Sequence, residues 1–382
     1  MRFEIRQSLL MEIGSASRRQ EIRHEPSRAL LMRTAFVTGA TGFIGRNLVD
    51  SLLDRGCEVR CLVRSPSRSS HLRRDGVRLV TGSLADVAAW RRELEGCDAV
   101  FNAGGLCAAR SRSELFSING TAVGQLADAC ADLGSPPVFV HVSSLAAAGP
   151  PPRGRGIRDE TDSFAPVSNY GVSKLAGEVE LRRRADRLPV TAVQPGVVFG
   201  PHDTKILQLY QMINLVRLHL PMGLRPVPLS LIHVADLAAL ILAAAERGER
   251  MTPVSGTANG HAHTNGRTNG HAPTGVYHAC DDREHPTYTE LGRRIGQAIG
   301  RGVLVVKLPA TAAYPIVAAV EGFWNLLGQG SIVSPDKLRE ATARSWASSA
   351  AKARSQLQFA PSALLDDRLR DTGEWFRANR LL

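Results

Sequence analysis

The 382-residue chain has few of the patterns that mark several large classes of protein. Its six cysteines form no CxxC pair and no zinc-ligand spacing, so we expect reduced, mostly buried thiols and no metal site. The N-terminal segment contains no uninterrupted apolar core of signal-peptide length, which favours a cytoplasmic location. Aromatic residues make up only 5% and do not interleave with basic runs. Despite the net charge of +11, we therefore expect no nucleic-acid partner.

What the chain does have is an alternation of strand and helix patterns. Its apolar content of 43% is enough for a sizeable core. Apolar runs predict strands at Glu58–Val63, Val77–Thr81, Ala99–Ala103, Val138–Ser143 and Val190–Gln194, separated by helical stretches near 46–55, 86–95, 115–133 and 169–186. This alternation predicts an α/β fold, a doubly wound parallel sheet with ligand at the C-terminal ends of its strands.

A glycine turn stands at the start of this pattern. The residues TGATGFIG, Thr38–Gly45, follow an apolar strand pattern and open a helical one, with Gly39, Gly42 and Gly45 spaced as GxxGxxG. In such a turn the glycines allow a tight bend, close approach of a pyrophosphate and packing of helix on strand. The helix N-terminus adds unpaired N–H groups for the phosphates. The segment predicts a dinucleotide site.

A second motif is the pair Tyr170 and Lys174, which four-residue spacing places on one face of a helix. A lysine ammonium there lowers the pKa of a phenol, which can then exchange a proton with a carbonyl or alcohol while a nicotinamide exchanges hydride. Ser143 and Ser144 follow a predicted strand upstream. Either hydroxyl could cap the turn or bind the substrate oxygen.

Together these segments resemble the extended branch of the short-chain dehydrogenase/reductase superfamily. The resemblance rests on TGATGFIG, on Val142–Ser144, on YGVSK at 170–174 and on QPGVVFGP at 194–201. That branch includes epimerases, dehydratases, 3β-hydroxysteroid dehydrogenases and dihydroflavonol reductases. The resemblance implies a Rossmann-type sheet with a small, mainly helical C-terminal substrate subdomain, and it is compatible with a homodimer.

The resemblance also implies the site residues. The catalytic set would be Ser144, Tyr170, Lys174 and Asn119, although a helix-capping role for Asn119 stays open. The cofactor would lie against Gly39, Thr41, Gly42, Phe43, Ile44, Gly45, Arg64, Ser83, Leu84, Asn102, Ala103, Gly104, Tyr170, Lys174, Pro195, Gly196, Val197 and Val198. Two positions depart from the family pattern: Ser83 replaces an aspartate beside adenine, and Ala148 replaces a tyrosine. For His233 and Asp236, a structural turn or cap competes with substrate contact.

The predicted second strand ends near Arg64, in the region where the family selects its cofactor. An acidic residue there would bind the ribose 2′-hydroxyl and favour NAD. This chain has arginines and no acid in that segment, so NADP is favoured over NAD.

The chain divides into four predicted parts: a flexible N-terminal arm at 1–31, a Rossmann NAD(P)-binding domain at 32–250 with 195–235 contributing to the substrate lobe, a disordered insertion at 256–275, and a C-terminal substrate-binding region at 276–382. The insertion carries NGHA twice, and its histidines are a weaker alternative as metal ligands. An apolar stretch at 303–327 is interrupted by two prolines and Glu321, so membrane contact is not expected.

Three functions follow from these motifs. The first is a reductase or dehydrogenase that moves hydride between nicotinamide and a hydrophobic ketone or secondary alcohol, with Tyr170 as acid or base. The second is a nucleotide-sugar epimerase or dehydratase that keeps NAD bound. A dehydratase would be supported by an acid after Ser144, but Leu145 and Ala146 stand there. The third is a dinucleotide-binding protein without turnover, in which the tyrosine or lysine would usually be missing.

Overall fold

The structure is a computed structural model that describes residues 32–221, 223, 225–253, 274–307, 309 and 335–382. The predicted arm at 1–31 lies outside the described residues. So do nearly all of the predicted insertion at 256–275 and most of the apolar stretch at 303–327.

A seven-stranded parallel sheet forms the centre of the protein. Numbered in chain order, its strands are β1 (Thr34–Thr38), β2 (Glu58–Val63), β3 (Val77–Thr81), β4 (Ala99–Asn102), β5 (Val138–Val142), β6 (Val190–Pro195) and β10 (Val276–Ala279). They pair in the order β10-β6-β5-β4-β1-β2-β3. The chain reverses its direction of progress between β1 and β4, and ligands bind at such a switch point in open α/β sheets. The predicted doubly wound fold is confirmed.

Helices and two small parallel pairs of strands surround the sheet. The pairs are β7 (Val197–Phe199) with β9 (Leu231–His233), and β8 (Leu218–His219) with β11 (Leu304–Val305). The helices are α1 (Phe43–Leu53), α2 (Arg112–Phe116), α3 (Ala122–Ala131), α4 (Leu145–Ala148), α5 (Asn169–Arg182), α6 (Thr204–Val216), α7 (Val234–Arg247), α8 (Tyr288–Ala298), α9 (Pro335–Ala341), α10 (Ala351–Leu357) and α11 (Leu365–Ala378). A π-helical turn, Ser117–Thr121, joins α2 to α3.

Apolar side chains fill both faces of the sheet. On one face, residues of α1, α7 and α10 such as Leu48, Leu240 and Leu357 pack with strand residues in one cluster. The opposite cluster includes Leu126 of α3 and Leu181 of α5. Burial on both faces explains why the inner strands β1, β4 and β5 are nearly continuous apolar runs, whereas β3 at the sheet edge carries exposed polar residues.

Three further helices, α6, α8 and α11, form a separate layer outside the sheet and share a third apolar cluster. Tyr210 of α6 meets Phe376 of α11 edge-on, with ring centroids 5.4 Å apart, and its hydroxyl donates to the Leu369 carbonyl at 2.7 Å. This layer corresponds to the small, mainly helical subdomain expected from the sequence.

Two elements differ from the sequence predictions. The predicted helix near 86–95 is wrong: the segment forms two short 3-10 turns, Val87–Ala89 and Arg91–Leu94. Trp90 lies between them, stacks on Phe36 with centroids 5.2 Å apart, and donates from its indole N–H to the Ser83 carbonyl in the loop after β3. This anchor prevents a continuous helix. In addition, Val276–Ala279, counted from sequence with the C-terminal region, is the edge strand of the central sheet.

Candidate active site

The glycine turn lies where the chain leaves β1 for α1. Gly39 has φ +67°, and a Cβ there would lie 2.6 Å from the Gly104 nitrogen. A Cβ on Gly45 would lie 2.1 Å from the Gly39 oxygen. Gly42 is the N-cap of α1 and no side chain caps that end. The backbone therefore holds a tight cradle with open N–H groups, which fits a pyrophosphate.

The ends of β3 and β4 border this turn. The Leu84 side chain packs against Gly104, where a Cβ would lie 2.6 Å from it. Ser83 stabilises its own turn, since its hydroxyl accepts the Ala85 N–H at 3.2 Å. The Asn102 side chain is buried and accepts a hydrogen bond from the Thr38 hydroxyl at 2.6 Å. The backbone of residues 103–104, which follows β4, lies directly against the glycine turn.

Arg64 is exposed just beyond the carboxyl end of β2, beside the strand that leads into the glycine turn. Arg60, four residues earlier, is already bound: it donates to the Glu93 and Glu95 carbonyls at 2.7 Å each. Of these two arginines, only Arg64 is placed for an anionic ligand at this edge.

A cavity of about 320 Å³ lies next to the glycine turn between β1 and α1. Thr41, Gly42, Phe43, Arg46 and His71 line it on the sheet side, with residues of α6 and α11 opposite. Burial, with the charge of Arg46 adding to it, lowers the pKa of His71. The cavity lies at the phosphate end of the predicted dinucleotide site rather than at Tyr170.

The predicted catalytic hydroxyls meet at the carboxyl end of β5. Ser144 is the N-cap of α4, and its hydroxyl accepts the Ala146 N–H at 3.2 Å. The same side chain is hydrogen-bonded to Tyr170, which extends from the first turn of α5. Ser144 thus both caps a helix and contacts the tyrosine, so the two roles left open by the sequence are compatible.

Tyr170 is held as a neutral phenol. Burial raises its pKa well above the usual range, and the neighbouring Cys107 and Glu340 raise it further, while the hydrogen bond with Ser144 lowers it. From the sequence, Lys174 was expected to lower this pKa. In the structure desolvation is the largest influence on Tyr170, and the Lys174 ammonium donates instead to the Val142 carbonyl at the end of β5.

Lys174 is buried, and its Nζ donates to the Val142 carbonyl at 2.8 Å and lies 3.5 Å from Nε2 of His141. Burial lowers its pKa to about 8. Burial also lowers the pKa of His141 well below its usual range, so the ring is neutral. Its Nδ1 lies 3.1 Å from Nδ2 of Asn102. A buried polar chain thus connects the lysine to the strand end beside the glycine turn, and the sequence analysis did not find it.

Asn119 lies in the π-helical turn and is buried. Its amide accepts from the Leu106 N–H and donates to the Leu106 carbonyl, both at 2.8 Å, and also donates to the Ser173 hydroxyl at 2.9 Å. These contacts tie the loop after β4 to α5. Asn119 is therefore a link between that loop and α5, and Thr121 rather than Asn119 occupies the N-cap of α3.

The segment Pro195–Val198 passes from β6 into β7 beside this site. A Cβ on Gly196 would lie 2.3 Å from the Ser230 oxygen, so only glycine fits. His233 caps α7, and Asp236 accepts hydrogen bonds from Ser362 and Arg368 of the C-terminal region. Both residues have the structural roles that the sequence analysis left open.

The C-terminal region also reaches the start of α5 through α9. Both oxygens of Asp336 accept the Asn169 N–H at 2.9 Å, at the start of α5. Glu340 accepts from the Ser168 hydroxyl, the N-cap of the same helix. Carboxylates at a helix N-terminus are favourable. No sequence motif indicated these contacts, which join residues more than 160 positions apart.

The sequence also matches a known protein family. A model of the NAD dependent epimerase/dehydratase family matches residues 35–255, more than half of the chain. The chain belongs to this family. The membership confirms the resemblance to extended short-chain dehydrogenases/reductases and the expected class, an oxidoreductase dependent on a nicotinamide dinucleotide.

Individual relatives cover most of the chain. It is 29% identical to a ceramide reductase of Caulobacter vibrioides over 90% of this chain and 94% of the relative. A quinoline-oxide ketoreductase of Stigmatella aurantiaca is 31% identical over 57% of this chain and 65% of that protein. Among solved structures, a UDP-glucose 4-epimerase of Thermotoga maritima with UDP-glucose has TM-score 0.70 at 19% identity, covering 91% of this chain and 99% of that one. At this identity the structural likeness supports the fold alone.

Two features are absent from the described residues. They contain no helix with the length and hydropathy needed to cross a bilayer. Within the same residues, no group of three or more His, Cys, Asp or Glu side chains is arranged to hold a metal ion.

Proposed function

We propose that this enzyme is an NADP-dependent reductase that converts a hydrophobic ketone to a secondary alcohol, and catalyses the reverse oxidation. The observation that carries the proposal is the contact between Tyr170 and Ser144 at the end of β5, with Lys174 one turn further along α5. The glycine cradle at the neighbouring switch point fits the phosphates of a dinucleotide. When bound, the nicotinamide supplies or accepts the hydride.

The chain's own residues then handle the substrate oxygen. The Ser144 hydroxyl donates a hydrogen bond to the carbonyl oxygen, and Tyr170 gives that oxygen its phenolic proton as negative charge develops on it. A raised pKa keeps the phenol protonated near neutral pH, which suits an acid in the direction of reduction. Solvent returns the proton to Tyr170 after product release. Lys174 contributes a positive charge near the reacting groups.

One observation disfavours a nucleotide-sugar dehydratase, and another favours a hydrophobic ketone. The residues that follow Ser144 are Leu145 and Ala146, both buried, so neither supplies the carboxyl group that an elimination would use; an epimerase needs no such acid. The relative that matches over nearly the whole chain is named for ceramide reduction. We also propose a cytoplasmic location.

The deciding experiment is to purify the protein and identify the nucleotide it carries. We expect exchangeable NADPH, and oxidation of NADPH that depends on an added aliphatic or steroid ketone. Tightly retained NAD together with interconversion of UDP-sugars at C4 would instead establish the epimerase.

The NADP preference has its own test. Arg64→Asp places an acid at the exposed end of β2, where it would repel a 2′-phosphate and accept from a ribose hydroxyl. The ratio of kcat/KM for NADPH to that for NADH should fall by about tenfold or more. Arg60→Gln is the matched control, because Arg60 is bound to Glu93 and Glu95. An unchanged ratio in Arg64→Asp would remove Arg64 from cofactor selection.

A further inference from the structure

One row of residues along α5 is polar from the first turn to the last, beside buried apolar residues such as Leu181. Tyr170, Lys174, Glu178 and Arg182 follow one another at four-residue spacing, and the last three are 4%, 0% and 6% exposed. A helix normally turns an apolar stripe to the core, since burying charge costs free energy. The mechanism above uses Tyr170 and Lys174. It does not account for Glu178.

Glu178 connects three parts of the site. Its Oε1 accepts from the Ser143 hydroxyl and from Nε2 of Gln194, the latter at 2.7 Å. Ser143 directly precedes Ser144, and Gln194 directly precedes Pro195. One carboxyl group therefore holds the ends of β5 and β6 against α5. In the described part of the chain, Oε2 is buried without a hydrogen-bond partner.

The charges around Glu178 are arranged along its own helix. Lys174 lies one turn before it and Arg182 one turn after it. Burial raises the pKa of Glu178, whereas the hydrogen bonds from Ser143 and Gln194 and the two flanking cations lower it. These donors and cations favour the ionised form.

The negative charge of Glu178 acts on the pKa of Lys174. Lys174 faces the Val142 carbonyl and neutral His141 on β5, and the charges that act on it are those of Cys107 in the loop after β4 and Glu178 on its own helix. Burial lowers its pKa to about 8, and the charges of Cys107 and Glu178 oppose that fall. Since His141 is neutral, it adds no positive charge against the ammonium.

We propose that Glu178 is a positioning residue of this site, which aligns the strand ends carrying Ser144 and Pro195 with the catalytic helix and keeps Lys174 protonated. The effect of Glu178 on catalysis rests on the proposed function. The protonation of Lys174, however, is measurable without substrate or turnover.

The composition makes this measurement practical. The chain has only five lysines: Lys174, Lys205, Lys307, Lys337 and Lys352. Protein labelled with ¹³C at lysine Cε gives a spectrum in which the Lys174 signal is assigned by its loss in Lys174→Arg. In the wild type we expect this signal to titrate near pH 8.

In Glu178→Gln, which keeps the side-chain shape, the Lys174 midpoint should fall by about one pH unit. Glu178→Asp keeps the charge and should restore a midpoint close to that of the wild type. Glu180→Gln is the matched control, because this carboxylate lies on the same helix and pairs with Arg183 and Arg184. It should leave the midpoint unchanged.

If Glu178→Gln does not fold, Ser143→Ala tests the same claim. Loss of the Ser143 hydrogen bond favours the neutral acid, so the Lys174 midpoint should fall, by less than in Glu178→Gln. An unchanged midpoint in the folded Glu178→Gln protein, or in Ser143→Ala where that protein does not fold, overturns the proposal.

The activity measurement separates this proposal from the proposed function. The alkaline limb of the pH profile of kcat/KM should move to lower pH in Glu178→Gln by the same amount as the NMR midpoint. A purely structural role would lower activity at every pH without moving the limb, and that result also overturns the proposal. Failure to reduce any ketone would overturn the proposed function, while the NMR titration would still decide the role of Glu178.

Discussion

Two helices of equal length pack on opposite sides of the sheet and bury very different side chains. Both α7 and α5 have 14 residues. Nine of the ten buried residues of α7 are apolar: Val234, Leu237, Ala238, Leu240, Ile241, Leu242, Ala243, Ala244 and Ala245. In contrast, α5 buries Ser173, Lys174, Glu178 and Arg182 among its eight buried residues.

The buried residues of α7 are suited to stabilising the fold, whereas the buried polar residues of α5 are suited to a reaction. Each fully buried large apolar side chain contributes about 1.5 to 3 kcal/mol, so α7 stabilises the sheet directly. Buried charges on α5 lose hydration and recover only part of it through hydrogen bonds. We therefore expect substitutions on α7 to affect the free energy of unfolding, and substitutions on the polar face of α5 to affect activity.

The largest expected effect is that of Tyr170→Phe. Loss of the proton donor should lower kcat by about 10³-fold, which corresponds to about 4 kcal/mol, with the Kd for NADPH nearly unchanged. Steady-state kinetics and nucleotide fluorescence measure the two quantities. Tyr210→Phe removes a hydroxyl bound to the Leu369 carbonyl in the C-terminal layer and serves as the control. It should cost about 1 kcal/mol of stability and leave kcat unaltered. Full activity in Tyr170→Phe would contradict the mechanism.

On α7, Leu240→Ala should lower the free energy of unfolding by about 3 kcal/mol, because Leu240 is fully buried and the truncation leaves a cavity. Denaturant unfolding measures this loss. The control is Leu215→Ala on α6, where the side chain is 84% exposed and the change should stay within about 0.5 kcal/mol. Equal losses in the two variants would break the comparison.

Lys174→Met tests the cost of a buried charge through its pH dependence. The pKa of Lys174 is about 8 in the folded protein and about 10.4 in an unfolded chain, so the unfolded state binds more protons between these values. Wild-type stability relative to the Met variant should therefore rise by about 2 to 3 kcal/mol as the pH increases from 8 to 10.5. Denaturant unfolding of both proteins across this range measures it. A pH-independent difference would show that Lys174 is not desolvated as described.

The smallest effect is expected from deleting residues 254–273, which follow α7. The Thr252 N–H and hydroxyl bind the Thr274 hydroxyl at 2.8 and 2.7 Å, so the flanking residues are already joined. Joining Pro253 directly to Thr274 should change Tm by less than about 2 °C. Calorimetry gives Tm, and a fall of more than about 5 °C would show that the deleted segment stabilises the fold.

Much of the predicted dinucleotide site around the glycine turn could be predicted from the sequence, because its motifs are local. Gly39, Gly42 and Gly45 specify a turn through short-range sterics, and an apolar strand pattern precedes it. The spacing of Tyr170 and Lys174 likewise follows from one helix. The segment near 86–95 was misread because its conformation depends on Trp90 reaching Phe36 on another strand.

The supporting residues of the site were not predictable in the same way. His141 and Glu178 look like ordinary strand and helix residues until the sheet order places them beside Lys174. Asp336 acquires a role only because the C-terminal region returns to the start of α5. Pairwise contacts over such separations leave no periodic signal in one sequence.

The sequence by itself determined the fold class through its alternating strand and helix patterns, and it determined the glycine turn and the spacing of Tyr170 and Lys174, because these depend on neighbours within a few residues. The tertiary structure decided the protonation of those groups. Burial raises the pKa of Tyr170 and lowers that of Lys174. Desolvation and the placement of Glu178 arise only when distant segments pack together, so no local pattern could specify them.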